Sequence, residues 1–331
     1  MSSLKLLPDS GLSSMVMGND IYAYAQTYDG DIYQFVGNVR NSSTFIRSKR
    51  KSNVIIERLE GSAPKDDAPK LFTPIAAVSF TDELNRSMTE RLINLSTFFF
   101  LDDRNILHDQ YDTGNGAYQH GTLANKNIQC AHYSSLAAIT IKGDVVNHMC
   151  VFYQAPTPDA AVKMVSFAGR HRTWDHDRAH LTDPPLYGTS FTAVPPRAGI
   201  LGPPLPLFGY DRDGLPLAFS PHTSLTAVDN GTQLHLIYKS HTGQVKVIRI
   251  DPKEGLQLPE LFFKDLDVAP RSSIAACIAP NTGADTCIVL FYQSLDPSSR
   301  KVQMAAKVVY RPSNSVVDTK WRVSEKEVLG E

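Results

Sequence analysis

Thr73-Pro-Ile-Ala-Ala-Val78, Ser134-Ser-Leu-Ala-Ala-Ile139, Thr189-Ser-Phe-Thr-Ala-Val194, Thr223-Ser-Leu-Thr-Ala-Val228 and Ser272-Ser-Ile-Ala-Ala-Cys277 are five copies of one short strand. A sixth, weaker copy is read at Ser13-Ser-Met-Val-Met17. The copies start at intervals of roughly 35 to 60 residues, the range of a propeller blade among repeat architectures. Small Ala and Thr residues suit strands crowded around a central axis.

Each copy precedes a second strand rich in aromatic and β-branched residues: Ile21–Ala25, Thr97–Leu101, Met149–Tyr153, Leu205–Gly209, Leu234–Tyr238 and Ile288–Tyr292. Turn residues follow at Asp29-Gly30, Asp102-Asp103, Asp213-Gly214 and Thr242-Gly243, and then third strands such as Asp31–Val36 and Gln244–Ile250. Trp174 and Trp321 close the third and sixth units. A β-sandwich also alternates short strands with turns, but it does not demand a repeat of this period. The expectation is an all-β, six-bladed β-propeller occupying residues 1–331 as a single domain, each blade a four-stranded sheet. Two stretches depart from the pattern. Arg47-Ser-Lys-Arg-Lys51 reads as a solvated basic loop, and the proline-rich run from Pro195 to Pro206 as a distorted fourth blade, since proline cannot donate into a sheet ladder.

With 33 Lys+Arg against 34 Asp+Glu, the formal charge is −1, so no net field draws the chain to nucleic acid or anionic lipid. No apolar run approaches the roughly 20 residues of a membrane-spanning helix. Residues 1–10 show no secretory signal, while four glycosylation sequons, at Asn41, Asn85, Asn94 and Asn230, leave a trimmed leader open. Cys130, Cys150, Cys277 and Cys287 lack zinc-ligand spacing and read as buried apolar residues, a bridge between Cys277 and Cys287 being left open. No nucleophile elbow, phosphate loop, dinucleotide fingerprint or HExxH is present, so hydrolases and nucleotide-dependent enzymes of the ordinary kinds are disfavoured and no cofactor is expected. Association of identical copies is left open.

The order Ser134–Ile139, Cys150–Gln154, Val162–Phe167, Trp174 resembles the fungal fucose-specific lectins, and the resemblance runs over most of the chain. It implies sugar sites between blades, each using an Arg early in the second strand, a Glu on the third strand and an aromatic ring. By alignment, the Arg positions here hold Tyr22, Thr97, Cys150, Pro206, His235 and Val289, and the Glu positions Gln34, His108, Met164, Leu217, Val247 and Met304. No arginine or glutamate is among them. A fucose ring held by charge-assisted hydrogen bonds loses them when Met, Leu, Val and Pro take those places. The spaces between blades are then expected to be apolar pockets or simply filled.

A propeller with this signature and a lost sugar triad also resembles the fungal hetero-Diels–Alderases of tropolone–sesquiterpenoid biosynthesis. That resemblance implies cofactor-free joining of an o-quinone methide, formed by dehydration of a hydroxymethyl tropolone or phenol, to a humulene-type alkene. The protein would align two apolar reactants, exclude water and place an acid near the departing hydroxyl. His108 and Asp109, after the second-blade turn, are the candidate acid and base; Tyr22, Gln34, Met164, Arg170, Trp174 and His235 are the candidate substrate contacts. His171, His176, Asp177 and His180 surround Trp174 without a third ligand of clear spacing, so no metal is assigned and a capping loop is expected there. The competing functions are a carbohydrate-binding protein and an interaction scaffold.

Overall fold

The computed structural model describes residues 5–40, 44–47, 68–84, 91–112, 118–141, 147–156, 161–168, 173–177, 190, 192–194, 224–231, 233–240, 244–251, 255–256, 260–263, 268–269, 272–279, 286–296, 298–299, 301–311, 322–323 and 327–329. Arg170, Pro206, Leu217, Trp321, His171, His180, the expected strand at 205–209 and the proline-rich run lie outside them.

The first sheet joins β1 (Leu12–Met17), β2 (Asp20–Gln26), β3 (Ile32–Arg40) and β4 (Thr44–Arg47) in chain order. The second joins β5 (Ala76–Leu84), β6 (Arg91–Leu101), β7 (Leu107–Asp112) and β8 (Tyr118–His120). The third joins β9 (Leu136–Ile141), β10 (His148–Gln154), β11 (Val162–Ala168) and β12 (Thr173–Asp177). Two further sheets hold β13 (Leu225–Asp229) to β17 (Glu260–Phe263) and β18 (Ile274–Ile278) to β22 (Glu327–Leu329). Every pairing is antiparallel, as tight turns between consecutive strands require. At Asp29-Gly30, for example, Gly30 takes φ 89°, a value that costs glycine nothing.

The innermost strands pack face to face around one axis: β9 on β5, β5 on β1, β1 on β18 and β18 on β13. Between β13 and β9 stands the fourth blade, of which Ser190 and Thr192–Val194 are described. Thr192 identifies itself by one interaction. Ala77 N donates to Ser13 Oγ at 2.8 Å, Ala276 N to Thr226 Oγ1 at 3.2 Å, and Ala227 N to Thr192 Oγ1 at 3.2 Å. In each case the hydroxyl on one inner strand caps the outward N–H of the next, so Thr192 occupies in its blade the place of Ser13 and Thr226. The fold is a six-bladed β-propeller.

The register corrects the weak copy. Leu12, Ile75, Leu136, Leu225 and Ile274 face Ala25, residue 100, Tyr153, Tyr238 and Tyr292 at equivalent ladder positions, so the first-blade copy is Ser10-Gly-Leu-Ser-Ser-Met15 and begins three residues before Ser13. Ser10, Thr73, Ser134 and Ser272 are all buried. Thr73, Ser134 and Ser272 accept through their hydroxyls the N–H of Leu101, Gln154 and Gln293 at 2.8, 2.8 and 3.1 Å, pinning each inner strand to the second.

A residue at or near the end of the second strand clasps the following blade. Gln26 Nε2 donates to Lys70 O at 2.8 Å, Lys239 Nζ to Ala269 O at 3.4 Å and Gln293 Nε2 to Leu7 O at 2.8 Å. Gln293 adds Ser10 Oγ at 3.1 Å and accepts Asp9 N–H at 3.0 Å, so one fully buried amide joins the sixth blade to the first. Apolar side chains fill the spaces between sheets. Leu12, Ile21, Ala23 and Phe35 pack on Ala275, Val289, Phe291 and Met304 across that same junction. The four cysteines are buried and unbridged; Cys277 faces Val289 rather than Cys287, and burial pushes its thiol up to about 12.

Candidate functional site

Between the first and second blades, a polar cluster is closed upon itself. The hydroxyls of Tyr24, Ser96 and Tyr118 form a triangle with sides of 3.2, 3.0 and 2.6 Å, while Gln34 Nε2 donates to Tyr24 Oη at 3.0 Å and to Tyr118 Oη at 2.6 Å. Each hydroxyl can donate to the next around the ring, so every donor is used. Burial drives both phenols above their ordinary pKa, which keeps them protonated as the ring requires. Gln34 is thus a cross-blade tie, and Tyr22 packs at the edge of the apolar cluster around Met15, Phe98 and Phe100.

His108 and Asp109 do not form an acid–base pair, because neighbouring residues on a strand point to opposite faces. His108 looks toward the first blade, stacked on Phe100 at 5.3 Å with Nε2 3.2 Å from Asp102 Oδ2. Asp109 looks toward the third blade beside Phe99 and Trp174. Its Oδ1 accepts Leu123 N–H at 2.9 Å, and a Cβ on Gly121 would land on its carboxylate. Burial pushes the Asp109 carboxyl up to about 6 against the pull of the Leu123 N–H and the nearby Trp174 indole. Register also moves the family's glutamate position. Gln34, Met164 and Val247 are mutually equivalent, but the second-blade counterpart is Asp109, one residue beyond His108, and the sixth-blade counterpart is Ala306, two beyond Met304. The arginine positions Tyr22, Thr97, Cys150, His235 and Val289 are in register.

Trp174 is no pocket wall. At 1 % exposure it sits edge-on to Phe99, with ring centroids 5.8 Å apart, and locks the third blade to the second. Met164 pairs with Phe152 on the face turned away from the second blade, and His235 is buried beside Val228 on the side of the sixth. The sequence-derived candidates therefore divide among separate inter-blade spaces. Tyr22, Gln34 and His108 share the first, Asp109 and Trp174 share the second, and Met164 and His235 stand alone.

The open space is axial. A cavity of about 280 Å³ is lined by residues from every blade, among them Ser13, Ala77, Ala138, Thr192, Thr226 and Ala276. Among the described residues, no Asp, Glu, Lys or Arg lines it. At one mouth stand Phe72, His132 and Tyr133, in the segments that lead into the second and third inner strands. Phe72 is 57 % exposed and adopts φ 59°, a left-handed conformation that a bulky residue rarely holds without a structural reason. The His132 and Tyr133 rings meet edge to face at 4.6 Å. Just outside, Lys70 Nζ donates to Asn105 Oδ1 at 2.6 Å and His132 O at 2.7 Å, fixing this rim. Sequence reading missed Phe72, His132 and Tyr133, although their place next to each repeat copy marked them as rim residues.

A family model of the fungal fucose-specific lectins matches residues 58–195. No curated protein sequence matches the chain. Among solved structures, the fucose-specific lectin of Aleuria aurantia is 17 % identical with TM-score 0.65, over 98 % of this chain and 97 % of that one. AofleA of Arthrobotrys oligospora is 16 % identical with TM-score 0.63, over 99 % and 90 %. The chain has the propeller fold of the fungal fucose-specific lectins.

Proposed function

We propose that this chain is a small-molecule-binding protein of lectin-like fold that takes its ligand in the axial channel rather than between blades. The observation that carries the reading is the contrast between the two kinds of space. The described positions equivalent to the family's arginine and glutamate hold no arginine and one carboxylate, the buried and hydrogen-bonded Asp109, while the channel is open and bordered by aromatic rings. Polar groups committed to one another cannot be turned to a sugar without leaving buried partners unsatisfied. Fucose and methyl α-fucoside are therefore expected to give no saturable heat by calorimetry, and a glycan array no fucose-dependent signal. Inhibitable fucose binding at millimolar or tighter affinity would overturn the reading.

A second reading, cofactor-free hetero-Diels–Alder catalysis on a quinone methide and a terpene alkene, is favoured by the apolar rim. Phe72, at 57 % exposure, lines the same mouth as Tyr133, and the exposed Leu71 precedes it in the chain, so the rim offers apolar surface for two greasy reactants. It is checked by product formation and enantiomeric excess from a hydroxymethyl tropolone and a humulene-type alkene. Racemic product at the background rate removes it. The catalytic assignment would then rest on rim residues, since His108 and Asp109 are buried on opposite faces of β7.

A further inference from the structure

The second and third inner strands are each entered through a four-residue turn. In the second blade the turn is Lys70–Thr73, with Thr73 N–H on Lys70 O at 3.2 Å; in the third it is Ala131–Ser134, with Ser134 N–H on Ala131 O at 2.9 Å. Their middle residues are Leu71-Phe72 and His132-Tyr133, which places Phe72, His132 and Tyr133 at the mouth. The main chain of Lys70 is fixed from both sides. Its N–H donates to Leu101 O at 2.9 Å, and its carbonyl accepts Gln26 Nε2 at 2.8 Å. From that anchor the side chain crosses to the third-blade turn, where Nζ donates to His132 O at 2.7 Å, with Asn105 Oδ1 as a second acceptor at 2.6 Å. An ammonium thus bridges the two aromatic turns.

This cation has no counter-charge of its own. Both acceptors are neutral, and among the described residues no carboxylate comes within ion-pair distance of Nζ. Asp102 is buried and occupied by the N–H groups of Arg104 and Ile106 and by the side chains of Arg104 and His108. Asp103 is exposed, and Asp9, beside the first inner strand, lies in the field of Lys239. Burial lowers the Lys70 amine below its ordinary pKa, and the opposing fields of the Cys130 thiol, Asp102 and Asp103 do not offset it. A half-buried charge in that state gains from any anion brought beside it.

Resting on the channel-binding reading above, we propose that the mouth of the channel takes monoanionic aromatic acids. The carboxylate accepts the third N–H of Lys70, and the ring lies in the mouth against Phe72 and Tyr133. Two of the ammonium's three N–H groups are taken by Asn105 and His132, so one is left, which suits one anionic oxygen. A dianion would meet a single cation, and a cationic ligand would face Lys70 itself. A planar ring supplies the apolar face that an aromatic rim accommodates. At about 280 Å³, the cavity admits two fused rings.

The test compares 2-naphthoate with 2-naphthylmethanol and 2-naphthylmethylammonium, which share its outline and differ in charge, by ligand-observed NMR and calorimetry on the whole chain at neutral pH. The naphthoate should bind at least about fivefold tighter than the alcohol, the ratio expected of one charge-assisted hydrogen bond at a half-exposed place. The ammonium compound should bind no tighter than the alcohol, and added salt should shrink the preference for naphthoate. Lys70→Met should bring naphthoate down to the alcohol's affinity while leaving the alcohol's unchanged, which reports that the rim is intact. Lys70→Arg should restore the preference. An anion beside the amine favours its charged form, so naphthoate should raise the Lys70 pKa, and its affinity should fall as pH rises through that value. Equal binding of naphthoate and alcohol, both weakened by Tyr133→Ala, would overturn the acid assignment and leave the channel mouth as the site. A preference that survives Lys70→Met would overturn the role of Lys70. Absence of binding by all three at millimolar concentration, or binding unmoved by Tyr133→Ala and Phe72→Ala, would overturn the channel reading itself.

Discussion

At 7 % exposure, Asp109 keeps its proton to about pH 6, whereas an unfolded chain would release it near 3.8. Between those values the folded protein binds more protons than the unfolded one, so its stability falls as pH rises. The contribution is full below the unfolded value and is lost as pH passes through about 6, a difference of about 3 kcal/mol at 1.36 kcal/mol per unit. Asp109→Asn keeps an acceptor for the Leu123 N–H and cannot ionise. Urea midpoints measured from pH 4 to 7.5 should therefore slope downward in the wild-type protein and markedly less in this variant. A slope unchanged in Asp109→Asn would show that other groups carry it. The sequence marked this neighbourhood, since His108 and Asp109 follow the second-blade turn, but not which of the two points where. A shift of one residue exchanges the faces of a strand, and local composition in Leu107–Asp112 gives no fixed point for counting.

Three of the blades show a clasp to the next among the described residues, and the clasp at Gln293 is the most heavily bonded. Replacing it by leucine strands the Leu7 carbonyl and the Ser10 hydroxyl in a buried place and takes the acceptor from the half-buried Asp9 N–H bond. At about 1 to 3 kcal/mol for each unsatisfied buried group, partly relieved by water entry, Gln293→Leu should cost about 3 to 5 kcal/mol. The measurement is chemical denaturation, and a loss below about 1 kcal/mol would mean that apolar packing alone joins the sixth blade to the first. At this scale the repeat was readable because its residues have a physical job. Ser10, Thr73, Ser134 and Ser272 are buried hydroxyls where the inner strand begins, and Gly11 is there because a Cβ would meet Thr73 O at 2.7 Å. The glycine and the serines of the first copy hid the match and shifted its reading by three residues. The clasps were not readable at all, because a glutamine or lysine near the end of a strand looks like any polar residue until the next blade lies against it.

Six blades were legible because a long-period repeat can bury each sheet only against its neighbours. The location of the open space was not. Residues other than arginine and glutamate at the positions matching the lectin triad say nothing of whether the volume beside them is kept or filled, and Trp174, Tyr118 and Phe99 show it filled between the first three blades. The strand order bears on how the ring can be rewired. In the first and the last sheet every strand comes from one continuous stretch, and neither borrows a strand from the other. Among the described residues no main-chain ladder crosses the junction between them, which is held by apolar packing and by the Gln293 side chain on Leu7 O, Asp9 N–H and the Ser10 hydroxyl. A circularly permuted chain, linked across that junction and opened between two other blades, should therefore fold to the same ring with every blade whole. Its unfolding should be slower than that of the parent if the parent comes apart first at the junction Gln293 holds. A permutant that unfolds at the parent's rate would show that rupture begins within a blade.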